Sequence, residues 1–181
     1  MYRLTGGANK NLNQSQIHSI ISINSKKMET ARSTLKNSVR AFSGTRFHFR
    51  LTAVETAGAV SIMDVFMRKG SEPPRHVHSN EDETNIVHSG EIHYYIGDKV
   101  VQAKKGDVVF LPRMIPHHFK VVTPTASVTL VLTPGGFERF FEAATFPFEG
   151  DDVPPLSDRQ LSRERHTKVA EHSGSFGVKF L

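Results

Sequence analysis

The chain has 181 residues and contains neither Cys nor Trp. That length suits one domain with a sizeable core, and the lack of Cys excludes disulfides, thiolate metal sites and Cys nucleophiles. The formal charge of +5 raises nucleic-acid binding, but residues 1–50 hold nine Lys/Arg against Glu29 alone, while residues 51–181 hold fourteen against seventeen acids. The body is therefore net negative, and neither a nucleic-acid nor a membrane partner is expected. No apolar run reaches the length of a membrane span, and the start lacks the apolar block of a secretory signal. A Cys-free chain fits a reducing compartment, so the expected location is cytoplasmic.

Residues 1–42 are rich in Ser, Asn and Lys without a sustained period. They read as a basic, poorly ordered N-terminal extension, with a short helix around Lys27–Leu35. A basic, Ser-rich, acid-poor start also suits a transit peptide or an anion-touching arm, and Met28 is an alternative start. From Thr45 the texture becomes β-type. Runs at Arg46–Thr52, Ala59–Arg68, Asn85–His88, Glu91–Ile96, Lys99–Ala103, Asp107–Leu111, His118–Val122 and Ser127–Leu132 are mostly bounded by Gly, Pro, Asn or Asp. Gly97-Asp98 reads as a tight hairpin turn. Many short strands at near-regular spacing predict an antiparallel sandwich or barrel over residues 43–135.

After Pro134 the pattern changes again. Gly136–Ala144 predicts a short helix with Phe137, Phe140 and Phe141 on one face, packed on the barrel. Pro147–Pro155 reads as a loop. Ser157 resembles an N-cap, with Asp158 at the first helical position of a polar helix to about Glu171. Gly174–Leu181 is expected to be extended. Residues 136–181 thus form a C-terminal helical segment and tail on the barrel.

Six of the ten histidines lie between His76 and His118. In the triplet His76-Val77-His78, strand alternation puts both imidazoles on one face, where they can chelate one ion. Ser79–Asp82 is polar and turn-like, Glu83 begins the next run, and His117 follows a turn framed by Pro112 and Pro116. His118 points to the opposite face. Three imidazoles and one carboxylate suit Fe, Mn, Ni, Zn or Cu rather than Ca or Mg. Glu81 and Asp82 read as solvated acids, and His88 and His93 as strand-surface or packing histidines. Phe66, Phe110, Phe119 and Ile92 read as the lining of a mostly apolar pocket.

The spacing is Gly70, five residues, His76, one residue, His78, four residues, Glu83, six residues, Gly90, and later Gly106, five residues, Pro112, four residues, His117. Over residues 45–135 this resembles both motifs of the cupin family, and the segments GEIHYYIGD, GDVVFLPRMIPHHF and TPGGFERFF are similar to single-domain, quercetin-dioxygenase-like cupins. The resemblance implies a mainly β fold: a double-stranded β-helix, or jelly-roll barrel. It also implies one divalent transition metal held by His76, His78, Glu83 and His117. Met114 stands where the second motif usually has Gly, which implies a different turn shaped by Pro116. Val121 replaces a frequent Asn. Asn85 replaces a frequent aromatic and, by alternation, shares the face of Glu83.

These features imply metal-dependent dioxygenase chemistry on a small enol or hydroxylated molecule. Glu83 would be the catalytic group, either as fixed ligand or as general base, and Asn85 and Phe119 would contact the substrate. Isomerase or lyase chemistry on a sugar or keto acid is the alternative, as is a non-catalytic binding cupin. The family also implies a homodimer.

Overall fold

A computed structural model describes residues 35–156 and 173–181. The helices expected at Lys27–Leu35 and Ser157–Glu171 lie outside the described residues, except for Leu35 itself. Twelve strands are described: β1 Val39–Phe42, β2 Thr45–Leu51, β3 Ser61–Arg68, β4 His76–His78, β5 Asp82–Ser89, β6 Glu91–Ile96, β7 Lys99–Lys104, β8 Val108–Leu111, β9 His117–Val121, β10 Thr125–Thr133, β11 Phe146–Pro147 and β12 Val178–Phe180. They build one seven-stranded sheet, in the order β11-β1-β2-β3-β10-β5-β8, and one five-stranded sheet, β12-β4-β9-β6-β7. Every pairing is antiparallel. The fold is mainly β, a jelly-roll of two facing sheets.

The core follows the period of two. In β3, Ser61, Met63, Val65 and Met67 are buried while the residues between them are not. In β5 the buried face runs Glu83, Asn85, Val87, so a single strand passes from site to core along one face. Phe49, Met63, Ile92 and Leu132 are fully buried, each contributing roughly 1.5–3 kcal/mol.

The expected limit of the barrel at residue 43 is corrected. Val39–Phe42 pairs with β2 and with β11, so the sheet begins inside the stretch read as an extension. The reason is local: Phe42 pairs with Thr45 across Ser43-Gly44, both at positive φ (37° and 79°). That is what a two-residue type I′ hairpin requires. The hairpin expected at Gly97-Asp98 is present, joining Ile96 to Lys99.

Helix α1 spans Glu138–Ala144, two residues later than expected at its start. Phe137 and Phe140 are buried, and Phe141 packs against the core. Their rings form one cluster with Phe47, Phe176 and Phe180, which is the packing role expected of the phenylalanine stripe. Buried Glu138 anchors this helix. Its carboxylate accepts from the Ala53 and Gly136 amides and from the Ser61 hydroxyl, at 2.8, 2.7 and 2.5 Å. The tail is partly as expected: Ser173–Phe176 is a 3₁₀ turn, and only Val178–Phe180 is extended.

Candidate metal centre

The two sheets bring His76, His78, Glu83 and His117 together. Strand β4 supplies the first two, β5 supplies Glu83, and β9 opens with His117, which pairs directly with His76. All four are buried, and each offers a ligand atom within 4.8 Å of every other. Ligands at 2.0–2.2 Å from one ion lie roughly 3–4.4 Å apart, so the four atoms are grouped closely enough for one ion to draw them together. His118 lies on the opposite face as expected, its ring stacked on Tyr95 at 4.5 Å. His88 bonds Thr129, and His93 bonds Glu91, both away from the site.

Two imidazoles are pre-oriented. His76 Nδ1 lies 2.8 Å from the Pro74 carbonyl and His117 Nδ1 lies 2.9 Å from the Ile115 carbonyl. As donors to carbonyls, both rings carry the proton on Nδ1 and turn an Nε2 lone pair towards the centre. His117 Nε2 and both nitrogens of His78 are buried without a hydrogen bond. Glu83 Oε1 is 3.0 Å from His78 Nε2 but off the N–H axis, so the contact is charge attraction alone. Buried polar atoms that converge without bonding each other fit a bound cation, and the donor set fits a borderline divalent transition metal.

Electrostatics agree with that reading. Burial would raise the Glu83 carboxyl, but contact with His78 and the nearness of His117 and His76 more than reverse it, to about 2. Burial would lower His78, but Glu81 and Glu83 lift it to about 9. Burial holds His76 down to about 4 and also lowers His117. The metal-free site therefore stores its charge as a His78–Glu83 pair, and a divalent ion would replace the His78 proton.

His76, Glu83 and His117 open on a cavity of about 230 Å³. Asn85 lines it beside Glu83, and Phe119 lines it on β9, as expected. Among the described residues the Asn85 amide has no hydrogen-bond partner. Two expected lining residues are corrected. Phe66 lies on the other face of β3, under the Arg46 guanidinium at 4.2 Å, and Phe110 is 56% exposed. Alternation decides both, since Val65 and Leu111 are the inward neighbours. Ile92 is core rather than lining. The aromatic lining comes instead from Phe47, Phe137, Phe140, Phe141 and Phe180.

The reading of Glu81 is also corrected. It is 5% exposed, not solvated, and lies 3.6 Å from His78 Nδ1. Asp82 is partly exposed and pairs with Arg113 at 2.7 Å. Alternation counted back from Glu83 points Glu81 inward and Asp82 outward, a signal masked by the polar, turn-like run Ser79–Asp82. Glu72 was also unforeseen: it lines the cavity and accepts from the Val121 and Gly70 amides, tying the loop before β4 to β9.

Residues 63–133 match the family profile of the cupin domain, a span that includes all four candidate ligands. This chain carries a cupin domain. Its Met114 turn is not rebuilt around Pro116. Met114 takes the left-handed conformation, at φ 63°, that suits the usual glycine, and its amide bonds the His78 carbonyl. Left-handed backbone costs a side-chain-bearing residue about 1–2 kcal/mol. Met114→Gly is expected to raise stability by about 0.5–1 kcal/mol after the entropy cost of the extra glycine, measured by denaturant unfolding. A loss of stability would contradict the strain.

The cupin chain is 26% identical over 117 residues to quercetin 2,3-dioxygenase of Bacillus subtilis, covering 64% of this chain. It spans about a third (34%) of that relative's length. Among solved structures it is similar to KdgF from Halomonas sp., with 16% identity, 53% of this chain, 84% of the other and TM-score 0.48. It is also similar to Pac13, described as a nucleoside dehydratase, from Streptomyces, with 17% identity, 60% and 85% coverage and TM-score 0.47. Among the described residues, no helix is long and apolar enough to cross a membrane.

Proposed function

We propose that this cupin is a metal-dependent dioxygenase acting on a small, mostly apolar enol or aromatic hydroxyl compound. The observation that carries the reading is the asymmetry of the cavity. One end presents His76, Glu83 and His117, and the remainder is mostly phenylalanine and aliphatic wall, with Asn85, Glu72 (committed to the Val121 and Gly70 amides) and a few Ser and Thr hydroxyls as its polar groups. Among the described residues no Lys or Arg lines it. Phosphorylated sugars and keto acids need a cationic partner for their charge, so this lining favours a neutral body with one or two oxygens at the metal end. At about 230 Å³ the cavity lies below the range of about 300–1,000 Å³ usual for drug-sized ligands, which favours a compact ring system. Similarity to quercetin 2,3-dioxygenase makes an enol the first chemistry to test.

The chain's own groups divide the work. His76 and His117, fixed by the Pro74 and Ile115 carbonyls, hold the centre rigid. A bound divalent metal would supply Lewis-acid and, for Fe, Ni or Cu, redox chemistry at that end of the cavity. Glu83 is ionised at neutral pH and serves first as a ligand; its carboxylate is also placed to accept the proton of an acidic substrate hydroxyl. Asn85, one pleat along β5, offers a donor and an acceptor to a second substrate oxygen. Phe119 and the α1 phenylalanines exclude water from the bound ring.

The test is an oxygen-uptake screen of metal-loaded protein against flavonols, smaller cyclic enols and catechols. Uptake dependent on both metal and enol is expected. Turnover of a sugar or keto acid without oxygen consumption would instead make the enzyme an isomerase or lyase.

A further inference from the structure

The three imidazoles are not held alike. His76 and His117 each lean on a backbone carbonyl through Nδ1, whereas His78 has none. The group facing His78 Nδ1 is the Glu81 carboxylate, Oε2 at 3.6 Å, with side chains 0% and 6% exposed. Both atoms are buried and without a hydrogen-bond partner. Arg113, whose charge also reaches Glu81, is committed to Asp82 by 2.7 and 3.1 Å contacts. Burying a carboxylate oxygen without a partner is costly, and here its neighbour is an equally unpartnered ligand ring.

We propose that Glu81 is a positioning residue for the metal, holding His78 in the tautomer and orientation that present Nε2 to the ion. It rests on the metal reading above but is separate from any assignment of reaction. The gap of 3.6 Å exceeds a hydrogen bond, and a movement of under about 1 Å brings it to the 2.7–2.9 Å of a charge-assisted bond. That movement becomes favourable when an ion takes the Nε2 lone pair. His78 must then carry its proton on Nδ1, and Nδ1–H must have an acceptor. The bend that returns Glu81 under His78 is itself pinned, since the Ser79 amide donates to the Gly177 carbonyl at 2.8 Å and its hydroxyl to the same oxygen at 3.0 Å.

There is a consequence for charge. A divalent ion with Glu83 alone leaves a centre of +1, and with Glu81 the centre is neutral. Glu81 therefore strengthens His78 as a donor and favours the more oxidised state of a redox-active ion.

Glu81→Gln keeps the shape and removes the charge and one acceptor. Zn(II) and Co(II) affinities of the full chain, measured by chelator competition, are expected to fall 10–100-fold in Glu81→Gln. Stoichiometry should stay at one ion, and the metal-free variant should unfold in one cooperative transition as the wild type does. The visible spectrum of the Co(II) form is expected to shift, and Glu81→Asp to recover part of the affinity. Unchanged affinity and spectrum in Glu81→Gln, with the wild type binding metal, would overturn the proposal while leaving the metal centre intact. Complete loss of metal from a folded Glu81→Gln would overturn it differently, making Glu81 a direct ligand. A wild type that binds no ion would remove the metal reading itself.

Discussion

Replacing His76 and His78 together with Ala is expected to strip the protein of metal. Wild type purified from metal-supplemented culture should carry close to one transition-metal ion per chain by elemental analysis, and the double variant essentially none. The four ligands lie within 4.8 Å of one another, and four-ligand sites bind with about 10–16 kcal/mol. Losing half the ligands should cost about 5–8 kcal/mol, or roughly 10⁴- to 10⁶-fold in affinity. The control is His118→Ala. That ring stacks on Tyr95 outside the site, so its loss should leave the metal content unchanged. A metal-free wild type, or a double variant that stays loaded, would refute the centre.

The second large effect is on stability. Glu138→Ala is expected to cost about 3–5 kcal/mol by guanidinium unfolding. The substitution orphans the Ala53 amide and the Ser61 hydroxyl at once and leaves the Gly136 amide only a long 3.3 Å bond to the Ser61 oxygen. Each unpaired buried group costs about 1–3 kcal/mol, and an ordinary domain has only about 5–15 kcal/mol in total. Ser61→Ala removes one of the three donors and its strain-free replacement should cost far less. Glu138 matters to the site through what it anchors: Phe137, at the start of α1, meets the His78 ring edge-on at 4.4 Å. A Glu138→Ala variant as stable as wild type would mean that α1 is held by its phenylalanines alone.

Much of this was legible in the sequence because it is governed by short-range rules. The strand runs and the inward pairing of His76 with His78 follow from alternation, and the choice of His117 over His118 from the spacing of the cupin motif. Alternation also places Asn85 beside Glu83. The misreadings have physical causes of two kinds. Phe66 and Phe110 were assigned by residue type, although the inward set on their strands is fixed by Val65 and Leu111. Val39–Phe42 is hidden because the run is only four residues long with Arg40 inside it, too short for its alternation to stand out from the basic stretch before it. Glu81 is of the second kind. Counting back from Glu83 points it inward, but it precedes β5, and the adjoining Ser79 bend is pinned by a segment almost a hundred residues away.

That segment couples distant parts of the chain. Val178 pairs with His78 and Phe180 with His76, and the Ser79 bend hangs on Gly177. Ion binding and docking of β12 therefore stabilise the same three residues of β4, and such coupling is reciprocal: each must strengthen the other by an equal factor. Substitutions in Val178–Phe180 would therefore retune the affinity of a metal-loaded centre without touching a ligand, while the His-x-His triplet stayed unchanged.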